Sequence, residues 1–168
     1  MSRLSINECD DQASFLRACA WEANTNRHLA GKLGQKALRE LEAALLALPE
    51  KALTANRFIR LHGPADDVGE VCALGALALK RRIDAGESRA EAVKKIAEDW
   101  KGDAQDEAES EGSGDEEAAY YLNLKRVFAW AIIDQNEEAG PHDQTPEDRY
   151  RRVLAWVQKR IGGRTLGA

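Results

Sequence analysis

Apolar residues recur every three or four positions along much of the chain, which is the spacing of one face of an α-helix. The clearest example is residues 35–48, in which four leucines share one face and charged side chains lie off it. Pro49 follows this pattern directly and suits a position just beyond a helix end. The pattern predicts an amphipathic helix over residues 35–48 with its leucine face buried.

Residues 71–79, with the sequence VCALGALAL, are apolar on every face. A helix of this kind is typically central and buried. The flanking charges place its start near Asp66 and its end at the basic residues 80–82, because acids suit the first turn of a helix and cations the last. Gly75 costs up to about 1 kcal/mol relative to alanine inside a helix. We therefore expect another backbone to cross closely at Gly75.

Three further helices are predicted in the second half of the chain. A serine–glutamate capping box begins a helix over residues 88–100. A broad apolar face predicts one continuous helix over residues 116–136. A threonine followed by a proline begins the last helix, over residues 145–161.

The first part of the chain has a weaker pattern. Residues 12–23 predict a short helix, and residues 24–35, which contain two glycines and two asparagines, predict a loop. Residues 56–63 fit either a short strand or a helical turn. The expected fold is all-α: a single domain over residues 1–168, built as a bundle of five or six helices around the apolar central helix. An acidic flexible loop is expected within it, over residues 101–116.

The largest departure from average composition is the acidic segment, residues 102–117, in which eight of sixteen residues are acidic and none is basic. Residues 98–117 carry a net charge of −9, which leaves +4 for the rest of a chain whose total is −5. One interpretation is a solvated linker, since such a composition buries little apolar area. The other is a surface for a basic partner, because spaced carboxylates can imitate the phosphates of a nucleic acid.

A second acidic cluster follows the apolar face of the 116–136 helix and contains Asp134, Asn136, Glu137 and Glu138. Its acids lie where the helix dipole disfavours negative charge by about 0.3–1 kcal/mol each. Such a cluster could bind a cation or an arginine of a partner. The alternative is internal neutralisation by one of three arginines in the last helix: Arg149, Arg151 and Arg152.

Little in the sequence indicates catalysis. The three cysteines, Cys9, Cys19 and Cys72, form no CxxC pair, and the histidines have no metal-binding spacing. Phosphate-loop, dinucleotide-binding and GxSxG motifs are absent. The sequence therefore favours a protein without enzymatic activity, cofactor or bound metal. Direct binding of nucleic acid is disfavoured by a pI of about 5.3.

No signal peptide or apolar run of about 20 residues is present, so the sequence predicts a cytoplasmic protein that does not enter a membrane.

Three stretches, EVCALGALAL, AIIDQNEE and TPEDRYRRVLAWVQKRI, together resemble small helical proteins encoded by bacteriophages and prophages. The resemblance places residues 72–75 on the buried helix of that group and Asn136 and Glu137 on its Asn–acidic pair. It places four residues on the group's last helix: Pro146, Glu147, Arg149 and Trp156. It implies an accessory protein in the bacterial host cytoplasm that binds a host or phage protein, and it implies no activity. The acidic segment is not part of the resemblance.

These observations lead to the hypothesis of an interaction protein that uses an acidic surface to bind a basic protein partner. The partner would be a nucleic-acid-binding defence complex, which the protein would antagonise in the manner of an anti-CRISPR or anti-restriction factor. Two alternatives stay open: a helical protein that binds a metal or small ligand at residues 134–138, and a structural homodimeric scaffold. The residues predicted to bind the partner are Asp103, Asp106, Glu107, Glu109, Glu111, Asp115, Glu116, Asp134, Asn136, Glu137 and Glu138.

Overall fold

A computed structural model describes residues 6–55, 57–61, 69–100, 113–137 and 145–162, with side chains omitted for residues 6–15, 17, 18 and 113–116. Within these ranges the chain is predominantly helical, which is consistent with the all-α prediction. It also contains one small two-stranded antiparallel sheet. Seven helices are present in this part of the chain, rather than five or six. The elements in chain order are α1 (Ile6–Ala30), α2 (Lys32–Ala47), β1 (Ile59–Arg60), β2 (Glu70–Val71), α3 (Ala73–Asp84), α4 (Arg89–Asp99), α5 (Ser113–Tyr121), α6 (Arg126–Glu137) and α7 (Pro146–Arg160).

The leucine face predicted for residues 35–48 belongs to α2, which begins three residues earlier than expected. Leu38, Leu41 and Leu45 are almost completely buried. They lie in a helix that packs against α1, α3 and α7. Burial of a leucine side chain is worth about 1.5–3 kcal/mol, so this face is a main source of the packing energy that joins the four helices.

The apolar helix is α3, and the whole run from residue 71 to residue 79 is buried, as predicted. Its start differs from the expectation: the helix begins at Ala73, and Asp66 lies outside the described residues. Val71 is extended because it pairs with Ile59 across the small sheet. Cys72 then caps the helix, and its sulfur accepts a hydrogen bond from the Gly75 N–H at 3.4 Å. The propensity of these residues for a helix is overridden by strand pairing.

Gly75 lies where the backbone of Phe58 crosses α3, which confirms the predicted close approach. A Cβ atom at this position would overlap the carbonyl oxygen of Phe58. The same oxygen accepts a hydrogen bond from the Cys72 N–H at 3.2 Å. The hydrogen bond therefore holds the two backbones together at the crossing, and the absence of a side chain at Gly75 leaves room for the Phe58 carbonyl.

Two helices replace the single one predicted over residues 116–136. α5 ends at Tyr121 and α6 begins at Arg126, and Asn123 between them has a φ of 46°. Asparagine tolerates this left-handed conformation better than most residues do. Residues 113–116, assigned above to the acidic loop, lie in α5, whereas residues 101–112 are outside the described part of the chain.

The predicted N-terminal caps of two other helices are confirmed. Ser88 and Glu91 form the capping box of α4. Thr145 caps α7, accepting a hydrogen bond from the Asp148 N–H at 3.2 Å.

The prediction of a loop over residues 24–35 is wrong, because α1 continues to Ala30 and α2 begins at Lys32. Tertiary contacts explain the difference: Thr25 and Leu29 are buried, and the Asn26 side chain accepts a hydrogen bond from Arg160 of α7. None of the helices in the described ranges is long and apolar enough to cross a membrane.

Replacement of Gly75 by alanine tests the crossing of α3 by Phe58. Although alanine is the better helix former by up to about 1 kcal/mol, the new methyl group must displace a backbone carbonyl. We expect the free energy of unfolding to fall by about 2–3 kcal/mol, measured by urea titration followed by circular dichroism. Gly86→Ala is the control: a Cβ there meets nothing within 4 Å, and only the cost of its positive φ, about 1–2 kcal/mol, is expected. A neutral or stabilising Gly75→Ala variant would contradict the crossing.

Candidate partner-binding site

The acidic segment lies mostly outside the described residues. Five of the residues predicted to bind a partner, Asp103, Asp106, Glu107, Glu109 and Glu111, fall there, so their role stays a prediction. Asp115 and Glu116 lie in the first turn of α5, where the helix dipole favours acids. Glu117 follows them and is exposed.

The C-terminal end of α4, which precedes the acidic segment, packs against the C-terminal end of α5, whose first half holds the last residues of that segment. Trp100 is the C-cap residue of α4 and Tyr121 is the last residue of α5, and their ring centroids are 5.6 Å apart in an edge-to-face arrangement. Phe58 stacks on Trp100 at 4.2 Å and meets Tyr121 at 5.9 Å. Aromatic pairs of this geometry are worth about 0.5–1.5 kcal/mol beyond their buried area. The three rings form an aromatic junction between the C-terminal ends of α4 and α5 and the chain before β1.

A polar network around Arg82 strengthens the same junction. Its guanidinium donates to Asp99 Oδ2 at 2.7 Å, to the Tyr121 hydroxyl at 2.9 Å and to Glu87 Oε1 at 3.2 Å. The Tyr121 hydroxyl donates in turn to Asp99 Oδ2 at 3.1 Å. Burial raises the pKa of Tyr121 above its usual value, so the hydroxyl keeps its proton at neutral pH. The network ties α3, α4 and α5 together.

Asn136, predicted to contact a partner, is instead 2% exposed and bonded within the fold. Its Nδ2 donates to the Thr54 carbonyl at 3.0 Å and to Glu137 Oε1 at 2.7 Å. Its Oδ1 accepts from the Ala73 N–H at 3.0 Å. The amide thus joins α6 to the first residue of α3 and to the chain before β1, which removes Asn136 from any exposed acidic surface. A buried amide must satisfy its polar atoms internally, and nothing in the sequence pattern distinguishes it from an exposed one.

Two of the other members of the second acidic cluster have described positions, and they differ in exposure. Asp134 is exposed, Glu137 is partly buried, and Glu138 lies outside the described residues. Among the residues with described positions, no group of three His, Cys, Asp or Glu side chains could hold a metal ion.

The arginines of the last helix each have a different partner. Arg152 donates to the Asn136 carbonyl at 3.4 Å, Arg149 to the Leu53 carbonyl at 2.9 Å and Arg151 to Asp148 at 2.9 Å. Arg152 therefore lies at the C-terminal end of α6, where a cation suits the helix dipole. None of these three contacts reaches a carboxylate of the cluster, so its internal neutralisation stays a prediction.

A groove that sequence reasoning missed lies between α2, α3 and the turn that joins α5 to α6. Its volume is about 580 Å³, within the range of about 300–1,000 Å³ that is usual for small-molecule sites. Apolar side chains from all three elements line it: Leu33, Ala37, Leu77, Leu124 and Phe128. The helix break at Asn123 creates one of its walls, and the sequence pattern predicted no break there.

The groove carries more positive than negative charge, with Lys36, Lys80, Arg81 and Lys125 against two acids. Arg81 is held in place because it donates to Glu40 Oε2 at 2.6 Å and also to the Leu122 carbonyl. Lys80 is paired with Asp84. Lys36 reaches Glu40 only at 3.7 Å. Lys125 is exposed and forms no ion pair with the part of the chain that the structure describes.

Comparison with protein-family models, with curated proteins and with solved structures finds no match to this chain. The resemblance to phage-encoded proteins therefore stays a prediction that rests on the three stretches named above. The function has to be argued from the residues themselves.

Replacement of Asn136 by alanine tests its role inside the fold. The change leaves the Ala73 N–H and the Thr54 carbonyl buried without their partner, which should lower the free energy of unfolding by about 2–4 kcal/mol. Asp134→Ala, on the exposed side of the same helix, should change it by less than about 0.5 kcal/mol. Urea unfolding followed by circular dichroism measures both. Similar small effects for the two variants would show that the amide does not hold the elements together.

Replacement of Tyr121 by phenylalanine tests the junction that flanks the acidic segment. The ring packing is retained, whereas the hydrogen bonds to Arg82 and Asp99 are lost, at a cost of about 1 kcal/mol. The neighbouring Tyr120 is 90% exposed, and Tyr120→Phe should be neutral within about 0.5 kcal/mol. Equal unfolding midpoints for the two variants in urea would rule out a stabilising role for the hydroxyl of Tyr121.

Proposed function

We propose that this protein acts by binding, and that the acidic segment is the surface that meets a basic protein partner. The proposal rests first on the distribution of charge, since residues 98–117 carry −9 in a chain that is otherwise +4. Electrostatic complementarity of this kind increases association rates and selects partners of opposite charge. The single observation that carries the proposal is this concentration of negative charge in one segment.

The aromatic junction packs the end of α4, just before the segment, against the end of α5, just after it. Trp100 and Tyr121 pack on each other, and Asp99 and Tyr121 share hydrogen bonds with Arg82. A connecting segment with fixed ends has fewer conformations to lose on binding than one with free ends. The junction stabilises the fold in either interpretation, and it adds to affinity if the segment binds a partner.

The partner that suits the segment is a protein that binds nucleic acid. Closely spaced carboxylates present negative charge as a phosphate backbone does, and a cleft that binds DNA carries the lysines and arginines to accept it. Binding of this type weakens with salt and competes with DNA. The narrower proposal, a phage-encoded antagonist of a CRISPR effector or restriction enzyme, rests on the sequence resemblance alone.

The test neutralises the charge of the segment without changing its length. In the variant Asp106→Asn, Glu107→Gln, Glu109→Gln, three carboxylates are replaced by amides. Immobilised intact protein should recover nucleic-acid-binding proteins from a bacterial lysate, and duplex DNA or rising salt should elute them. At low salt the variant should bind a recovered and purified partner at least about threefold more weakly, since each surface charge pair contributes about 0.2–1 kcal/mol.

The matched control is Glu22→Gln, Glu42→Gln, Glu50→Gln, which changes the net charge equally at sites away from the segment. It should recover the same proteins as the intact chain with the same affinity. If both triple variants bound the partner equally weakly, the loss would be due to net charge alone. That result would contradict a specific binding surface. Equal recovery by the segment variant and the intact protein would leave the segment a linker.

A further inference from the structure

The groove between α2, α3 and the α5–α6 turn has an apolar floor and an exposed apolar rim. Its floor is apolar, formed by Leu77 and Phe128 of the core. Its rim includes Leu33, which is 62% exposed although it is a large apolar side chain. An apolar floor that continues to an exposed apolar rim offers contact area to the body of a ligand.

The cations of the groove divide into two kinds. Arg81 and Lys80 are held by acids of the protein and shape the wall. Lys36 and Lys125 are both exposed at its edge; Lys36 is 3.7 Å from Glu40, and Lys125 forms no ion pair with a described residue. Lys36 lies one turn after Leu33 on α2, so it shares that helix face. The edge of the groove thus places two exposed positive charges, one of them in a long ion pair, beside the apolar rim.

We propose that this groove binds a small amphipathic organic anion, with its charged head at Lys36 and Lys125 and its apolar body along Leu33, Leu124 and Phe128. A carboxylate or sulfonate head fits two lysines, which act as point charges without the planar fork that a bidentate arginine supplies. The body fits the floor because every methylene group removed from water contributes about 0.8 kcal/mol. The inference depends on the groove alone and is independent of the acidic segment.

A free small molecule is favoured over a membrane surface because the site is a recess between helices. It is favoured over a long acidic peptide because three of the four cations already have acidic partners, Lys36 at the longest distance. The four cations and two acids that line the groove leave a net positive charge, which favours a ligand with an anionic group.

The test uses decanoate as the probe, titrated into the full chain and measured by calorimetry. We expect saturable binding at one site, and about tenfold weaker binding of octanoate, because two methylene groups are lost. Decyltrimethylammonium, with the same chain and a positive head, should not bind. The double variant Lys36→Gln, Lys125→Gln should bind decanoate about five- to tenfold more weakly.

The matched control is Lys32→Gln, Lys94→Gln, which removes two exposed lysines outside the groove. It should bind decanoate as the unmodified chain does. Both double variants change only exposed side chains, so their urea unfolding curves should be unchanged. The proposal is overturned by the absence of saturable decanoate binding, by equal affinity for the cationic probe, or by equal weakening in the two double variants. Sedimentation with phosphatidylglycerol vesicles without binding of free decanoate would also overturn it.

Discussion

The fold depends on how the first turn of α3 is anchored. Because that helix is buried, its first N–H groups have no water to bond and must find partners in the protein. The N-cap residue Cys72 supplies its sulfur, and two partners come from distant parts of the chain: Phe58 supplies a carbonyl to the N–H of Cys72, and Asn136 supplies an amide oxygen to that of Ala73. Burial also raises the pKa of the Cys72 thiol to about 11, so the cap stays neutral at neutral pH. One helix start thus fixes the positions of the small sheet and of α6.

The other end of α3 positions both candidate sites. Arg81 points into the groove, where it bonds Glu40 and the Leu122 carbonyl, and the next residue, Arg82, holds Tyr121 and Asp99 at the base of the acidic segment. Cations in the last turn of a helix are also favoured by its dipole. The two sites are consequently built on consecutive residues of one helix.

Local signals in the sequence predicted the features that depend on local physics. The leucine face of α2, the capping box at Ser88 and the proline start of α7 each require only neighbouring residues. Features that depend on distant partners were not predictable: the continuity of α1 relies on Asn26 meeting Arg160, and the late start of α3 relies on Val71 pairing with Ile59. Asn136 belongs to the same class, because its burial is decided by two backbone groups far away in sequence. The groove could not be predicted because it forms between three elements.

The two candidate sites respond differently to ionic strength, which separates them experimentally. An interaction made by exposed carboxylates alone is screened over about 10 Å at 0.1 M salt and should weaken steadily as salt is added. Binding in the groove has a large apolar contribution, which salt does not screen. The floor formed by Leu77 and Phe128 should therefore retain a ligand under conditions that release a partner from the acidic segment. Binding that survives high salt is therefore expected in the groove, and binding that is lost at high salt is expected at the acidic segment.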